Sequence, residues 1–595
     1  MESNLCTRRG GRFAAALVVL ASLATVLTGA QQAAAAPEDG RFEKVDASEF
    51  VLYPREIPGV DHGEPGDRTA RSVIEAVEAT SAVSKASPLS VAQSRQHTGR
   101  NLCHTTGING TLKYNGFCWD RTDDGTSAYN PAGGWHPQGM TASHDAYESG
   151  TADGHHLYMQ AWYYGHGDKE NDRDKKARVS ILESTGEDRS YGHVLLVRPT
   201  GSRNDPNFRA VENVHADGMA WYGNRLFVAN GGELQIYDLN HLWRMNSLSG
   251  NVGVEGRVSS AGHHQWALPM VARYGYQTKA QEAAWEQAHP GRKALRACAG
   301  LIACLSSLSV DRSSGSLVSG EYRSNSTERI FDPDIDRRPA RVINWPLASI
   351  GEGGTSPVRA TSAHVAPVRQ LQGVATDGEY YYLSAECPVN YMGDFRPGDR
   401  LSYSCIYRAR TGERASVLTR SPTLTQNLSY APSSGRLWGS NEQTDHRVVF
   451  SLQPRRADSA VPLSNDYSAL CAGAGNRITN GSKVIQWGCT NAQDERWVFE
   501  DTTDSNGKRA HVLQNAYSGK CMGPASSLAN GAGMVQYTCN GAVDQKWWYD
   551  RDKHELRNVY SGKCLGLGAD ATKGSQLIQW TCNGAPDEKW STTAR

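Results

Sequence analysis

The chain has 595 residues, room for two or three domains, and its 62 Lys and Arg balance its 62 Asp and Glu. A neutral chain has no built-in attraction to nucleic acid or to an anionic membrane surface, so neither is expected as a partner. With 60 Gly, 15 Trp and 25 Tyr, the composition suits β-rich folds with many turns and supplies aromatic faces for binding.

In chain order, Arg8, Arg9 and Arg12 precede a short apolar run over residues 13–27 and the small residues Ala33 to Ala36. This reads as a secretory signal peptide over residues 1–36, too short for a good membrane span. No later stretch is apolar enough to insert, so the expectation is a secreted, extracellular monomer. Residues 37–95 read as a lead-in segment or propeptide. Val73, Ile74, Val77 and Val83 predict one amphipathic helix over 71–83.

Apart from Cys6, the cysteines number twelve: Cys103, Cys118, Cys298, Cys304, Cys387, Cys405, Cys471, Cys489, Cys521, Cys539, Cys564 and Cys582. An even count in an exported chain reads as disulfides. Neighbour pairing would close short loops, each worth about 3 kcal/mol in the chain-entropy model. Thiolate metal sites need CxxC-type spacing, which is absent.

From 96 to 453, short β-type runs begin in a recurring way. His136-Pro137-Gln138-Gly139-Met140 is echoed by His215-Ala216-Asp217-Gly218-Met219, Leu371-Gln372-Gly373-Val374 and Gln426-Asn427-Leu428, more loosely by His264-Gln265-Trp266, with residues 305–310 as a further candidate. Hairpin partners and third strands follow several of these starts, at steps of roughly 40 to 80 residues. Uneven insertions into a β-propeller of five or six blades would give that spacing; a large β-sandwich is the runner-up, disfavoured by the repeated Gly-Met/Val phrase.

In a propeller, residues just before each inner strand and just after the second strand share one face. By that rule His136, Gln138, His215, Asp217, His264, Gln265, Gln372 and Asn427 ring the mouth, joined by Gln160, Asn230, Glu321, Glu386 and Glu442. The expected catalytic set is His136, His215, Asp217, His264, Glu321, Glu386 and Glu442. Two chemistries fit. A glycoside hydrolase takes two carboxyl groups, from Asp217 with Glu321, Glu386 or Glu442. A polysaccharide lyase takes a His base, with Arg273 or Arg323 pairing the uronate. No metal and no cofactor is expected: there is no HExxH, GxSxG, Walker loop or dinucleotide fingerprint, and no His-x-x-x-His pair. The charged run 168–176 reads as a solvated loop.

The C-terminal region repeats itself three times. Cys471 and Cys489, Cys521 and Cys539, Cys564 and Cys582 are each eighteen apart, and Trp497, Trp547 or Trp590 follows eight residues later. Alternating runs such as Lys483-Val484-Ile485-Gln486-Trp487 read as strands. One such unit cannot bury its apolar face; three around a pseudo-threefold axis share a core with the last Trp of each inside. With Glu495-Arg496-Trp497, Gln545-Lys546-Trp547 and Glu588-Lys589-Trp590 in place, residues 464–595 resemble the ricin-type β-trefoil lectin domain, the QxW repeat family.

That resemblance implies sugar stacking on an aromatic two residues before the second Cys, here Trp487, Tyr537 and Trp580. It also implies an Asp two residues after the first Cys, where this chain has Gly473, Gly523 and Gly566. Asp494, Asp544 and Asp587, just before the QxW, stand as compensating carboxylates. The chain is thus expected to be all-β, an N-terminal propeller followed by a trefoil. Its expected role is that of a secreted carbohydrate-active protein, with a polysaccharide or glycan as partner; the alternative is a non-catalytic lectin or adhesion protein.

Overall fold

The computed structural model describes residues 41–61, 67–108, 112–167, 176–184, 189–276, 278–288, 290, 304–323, 339–350, 356–388, 403–454, 460–475 and 477–592. The expected signal peptide, Cys298 and nearly all of the charged run lie outside them.

The repeated phrase starts strands, as the pattern dictates. Each start opens a four-stranded antiparallel sheet. Sheet one runs Gly134–Ala142, Leu157–Gly165, Ala177–Glu183 and Ser190–Ser202. Sheet two runs Gly218–Tyr222, Arg225–Asn230, Glu233–Asp238 and Trp266–Gly275. Sheet three runs Ser307–Asp311, Ser316–Gly320, Ala340–Pro346 and Ser362–Ala366. Sheet four runs Gly373–Thr376, Tyr381–Glu386, Ser404–Ala409 and Ser416–Ser421. Sheet five runs Thr425–Ala431, Arg436–Asn441 and Val448–Leu452, and takes its fourth strand, Tyr114–Cys118, from the other end of the region. The first strands of the five sheets pack one against the next in a closed cycle. We read this wheel as a β-propeller of five blades.

The glycine of the phrase has a steric cause. A Cβ on Gly139 would lie 2.6 Å from the backbone of Gly218 and Met219, one on Gly218 would lie 2.5 Å from Ser307 and Leu308, and one on Gly373 would lie 2.4 Å from the Gln426 carbonyl. Inner strands meet at the hub too closely for side chains there. Asn427 plugs the hub instead. Its Nδ2 faces the carbonyls of Met140, Met219 and Leu308 at 2.7, 3.1 and 2.8 Å, and its Oδ1 accepts from Leu308 N at 3.1 Å.

The phrase at His264 is the exception. It precedes the outermost strand of sheet two, where Val194–Val197 pair in parallel with Trp266–Pro269 and join sheets one and two at the rim. Without it the starts number five.

The lead-in is woven into the wheel's edges. Glu43–Val45 pairs with sheet three, Val51–Arg55 with sheet two, and Val83–Lys85 with the short strand Trp243–Met245. The expected helix is there, shifted to Asp67–Ala79, with Val73, Ile74 and Val77 fully buried. It stops before Val83 because Thr80 Oγ1 takes the Val77 carbonyl and Ser81 turns to φ 58°.

In residues 460–592 the repeats share one core containing Trp497, Trp547 and Trp590. Each indole donates to the carbonyl one residue past the first Cys of its repeat, Ala472, Met522 or Leu565, at 2.8, 3.1 and 3.0 Å. Disulfides join Cys103–Cys118, Cys387–Cys405, Cys471–Cys489, Cys521–Cys539 and Cys564–Cys582. Cys304 is disulfide-bonded too. The trefoil starts slightly earlier than its repeats suggest, since Ala460–Pro462 pairs with Arg496–Thr503.

Candidate functional site

At the mouth of the wheel, sheets one, two and five bring polar side chains together. His136 enters on the first strand of sheet one. Its Nε2 lies 3.4 Å from Glu442 Oε2, and its Nδ1 lies 3.1 Å from Arg447 Nη2. Burial holds this imidazole below its ordinary value, against the opposing pull of Glu442. Gln138 donates to the same Glu442 oxygen. Arg447, fully buried, also donates to the carbonyls of Asp123 and Glu442, and burial lowers it to about 10.

On the other side, His215 Nδ1 lies 2.6 Å from Asp217 Oδ1, while Asp217 Oδ2 accepts from Gly231 N at 3.1 Å. Between these residues Ala216 is held at φ 55°, in the left-handed region, with its carbonyl accepting from Gly139 N. Such strain persists where the surroundings over-determine it. Tyr163, from the second strand of sheet one, connects the halves. Its ring stacks on His215, its hydroxyl group is raised far above the usual phenol range by burial, and its side chain hydrogen-bonds Tyr129. Tyr129 is 65% exposed and sets its ring edge-on to His136.

Of the seven expected catalytic residues, four thus gather: His136, His215, Asp217 and Glu442. Three do not. His264 sits at the rim, its Nδ1 beside the carbonyls of Ala261 and Gly262, and burial together with Arg178 lowers it to about 3. The reason is its strand: outermost, not innermost. Glu321 does follow the second strand of sheet three, but its carboxylate is consumed. Arg341 Nε donates to Oε2 at 2.6 Å, while Arg323 Nη2 and Cys304 N donate to Oε1 at 2.9 and 2.7 Å. Glu386 ends the second strand of sheet four, and its carbonyl accepts from Tyr407. Among the described residues no hydrogen bond or ion pair joins either glutamate to the cluster. Arg273 is likewise spent, on Glu233 and the Glu56 carbonyl. Gln160 and Asn230 are structural, holding the Gln138 and Gly139 carbonyls and the His215 N–H.

Sequence reasoning missed Tyr129, Tyr163 and Arg447. Tyr163 stands in a recognisable strand, on the pleat facing Gln160's neighbours; nothing local marks the other two.

A second polar cluster lies deeper. The ligand atoms of His97, Asp123 and His193 are within 4.8 Å of one another. The Asp123 carboxylate is already taken there by Arg178 at 2.5 Å and the Tyr191 hydroxyl at 2.7 Å. A cation would have to displace a buried arginine, so the set is a closed ion-pair network.

In the trefoil, Trp487, Tyr537 and Trp580 are 49%, 41% and 43% exposed, whereas Trp497, Trp547 and Trp590 are fully buried. Each aromatic stands at the end of a strand paired to the first Cys of its repeat. The later Asp of each repeat lies near the glycine at which the resemblance implies an Asp. A Cβ on Gly473 would lie 3.8 Å from Asp494 Oδ2, and one on Gly566 would lie 3.6 Å from Asp587 Oδ2. On Gly523 it would meet the Asp544 carbonyl at 2.6 Å. The later Asp of each repeat thus lies beside its glycine. Asp544 Oδ2 accepts from Ser526 N, and Asp587 Oδ2 from Ala569 N. All three QxW side chains serve as acceptors, Glu495 from Thr490 N, Gln545 from Asn540 N and Glu588 from Asn583 N, and Gln545 alone also donates, to the Thr538 carbonyl at 3.0 Å.

A comparison with curated proteins returns no match. Among solved structures, the designed threefold-symmetric protein ThreeFoil is 24% identical over 22% of this chain and 96% of its own, with a TM-score of 0.21. A lectin from Polyporus squamosus is 16% identical over 22% of this chain and 48% of its own, with a TM-score of 0.20. An exo-beta-1,3-galactanase from Clostridium thermocellum is 12% identical over 77% of this chain and 96% of its own, with a TM-score of 0.28. The repeats, their shared tryptophan core and the match of residues 459–593 to the family model of that name make the C-terminal part of this chain a ricin-type beta-trefoil lectin domain.

Proposed function

We propose that the chain is an exported protein that holds a polysaccharide through its trefoil and hydrolyses a glycosidic link at the mouth of its wheel. One observation carries the catalytic part: Asp217, bonded to His215, and Glu442, beside His136, come from different sheets, and the Tyr163 ring packs by both imidazoles, its centroid 4.2 Å from that of His215 and 5.7 Å from that of His136. Glycoside hydrolysis asks for two carboxyl groups flanking one position. Glu442, fixed by Gln138 beside the buried His136, is suited to deliver a proton to the leaving oxygen. Asp217, fixed by Gly231 N and His215, is suited to the opposite face, as base or nucleophile. Tyr129 offers its exposed ring to the sugar.

The hydrolase reading is favoured over the lyase reading because of the cations. A lyase holds its substrate's carboxylate with a positive group. Among the described residues the arginine touching this cluster is Arg447, which is buried and committed to His136 and two backbone carbonyls. A trefoil anchored on the same polymer raises the local concentration of cleavable links, and export fits a chain stapled by disulfides.

The test is a screen of plant, fungal and bacterial polysaccharides for reducing-end release, with Asp217→Asn and Glu442→Gln alongside the wild type. Each variant is expected to lose about 100-fold or more in rate while still co-sedimenting with the polymer. Release of unsaturated products would move the reading to a lyase. No release from any polymer by the wild type would leave a non-catalytic lectin, with Tyr129 and its neighbours as a second recognition surface.

A further inference from the structure

The trefoil pockets share their chemistry but not their surroundings. The one at Tyr537 is a cavity of 550 Å³ whose walls include Asn480, Ser526, Tyr537, Asp544 and, from the wheel, Arg420. Arg420 belongs to the last strand of sheet four, and its guanidinium lies over the Tyr403 ring, 5.0 Å from the centroid. Behind the pocket, Asn480 Oδ1 accepts from Thr538 N at 3.0 Å and from Lys520 Nζ at 2.8 Å.

The third repeat supplies an internal comparison. There Asn530 Oδ1 accepts from Thr581 N at 3.1 Å, and Lys563 Nζ donates to Thr581 Oγ1 at 3.3 Å, in a solvated setting. Lys520, its counterpart, is 1% exposed. Burial, and after it the charge of Arg420, lowers Lys520 to about 7. One basic group, Arg420 of the other domain, therefore lines the Tyr537 pocket, with a second, Lys520, buried behind its wall on Asn480.

We propose that the Tyr537 pocket is a composite subsite, completed by Arg420, that selects a sugar bearing a carboxylate. Tyr537 gives the ring a stacking face and Asp544 accepts its hydroxyls, while Arg420 receives the uronate carboxylate in the paired geometry that a guanidinium offers. A bound carboxylate would also favour the charged form of Lys520, so binding would take up a proton near neutral pH. The inference rests on the reading that the trefoil aromatics hold sugar.

The experiment uses the full chain carrying Trp487→Ala and Trp580→Ala, which leaves the Tyr537 pocket as the intact one. Calorimetric titration with a galacturonate oligosaccharide and with a neutral galactose oligosaccharide compares the two ligand classes at one salt concentration. Tighter binding of the acidic ligand is expected. Arg420→Met should weaken it about tenfold and leave the neutral ligand unchanged, and Arg420→Lys should restore part of the loss. Equal weakening of both ligands by Arg420→Met, or binding of the neutral ligand alone, would overturn the acidic-sugar assignment while sparing the glycan reading. Binding that survives Tyr537→Ala in the same background, or no binding of either ligand, would overturn both.

Discussion

Tyr163 and His215 stack face to face, ring centroids 4.2 Å apart and planes 26° from parallel, across the boundary between sheets one and two. The contact is the joint of the candidate active site: His215 bonds Asp217, and Tyr163 also packs by the ring of His136, which lies beside Glu442. Removing the ring should release both carboxylates from their mutual register. Tyr163→Ala is expected to lower the rate of glycan cleavage by about 100-fold, and Tyr163→Phe, which keeps the stack, by about tenfold or less. Steady-state kinetics on the two variants checks this, with the loss in kcat rather than in KM.

The hub makes a stability prediction. Asn427 serves three strands other than its own, so its loss strands buried carbonyls from three sheets at once. Asn427→Leu should destabilise the wheel by about 3 kcal/mol or more. Asn427→Asp should do worse, since a carboxylate would face the same carbonyls. Denaturant midpoints for the wheel transition measure both, and the trefoil should be unaffected.

In the trefoil, surface and core tryptophans should behave oppositely. Trp487→Ala or Trp580→Ala should remove one sugar site and leave the melting temperature within a degree or two. Trp497→Ala, at a fully buried position bonded to the Ala472 carbonyl, should cost about 3–5 kcal/mol. Paired calorimetric scans and glycan titrations separate the two outcomes.

The pH dependence follows from buried imidazoles. His156, His193 and His364 are each lowered to about 4, and His264 to about 3, in every case chiefly by burial. The unfolded chain takes up these protons near 6.5 and the folded one does not, so stability is lost as pH falls from 6.5 toward 4. Asp145 opposes this. Burial raises it to about 6, so the folded form binds its proton first and gains between 6 and 3.8. Four imidazoles outweigh one carboxyl group. The melting temperature should fall by about 5 °C or more between pH 7 and pH 4.5, read by circular dichroism at fixed ionic strength.

Much of the architecture was legible in the chain because it is periodic. The Gly-Met phrase marks inner strands at 139 and 218 since the hub excludes side chains there, and the Cys and Trp spacing marks the trefoil since each repeat buries the same indole. His264 misled because its phrase lacks that glycine: Gln265-Trp266 opens an outer strand, where no close approach is needed. Glu321 misled for a different reason. Its position after the second strand was right, but Arg341 sits on the next strand of the same sheet, a long-range pairing that no local pattern shows. Tyr129 was invisible because a loop residue gains its role only from what it overhangs.

Of the strands that build the five sheets, the one that completes sheet five is made first and used last. Tyr114–Cys118 must wait for Val448–Leu452, more than three hundred residues downstream, before the circle has no open seam. Contacts so distant in sequence are slow to form and leave sheet edges unsatisfied meanwhile. For a nascent polypeptide this sets an order of events. The wheel stays unlatched until nearly all of it has been delivered, whereas the trefoil, built from neighbouring repeats, can mature on its own. A truncation anywhere before residue 452 would therefore yield an open, aggregation-prone crescent and not a smaller working wheel.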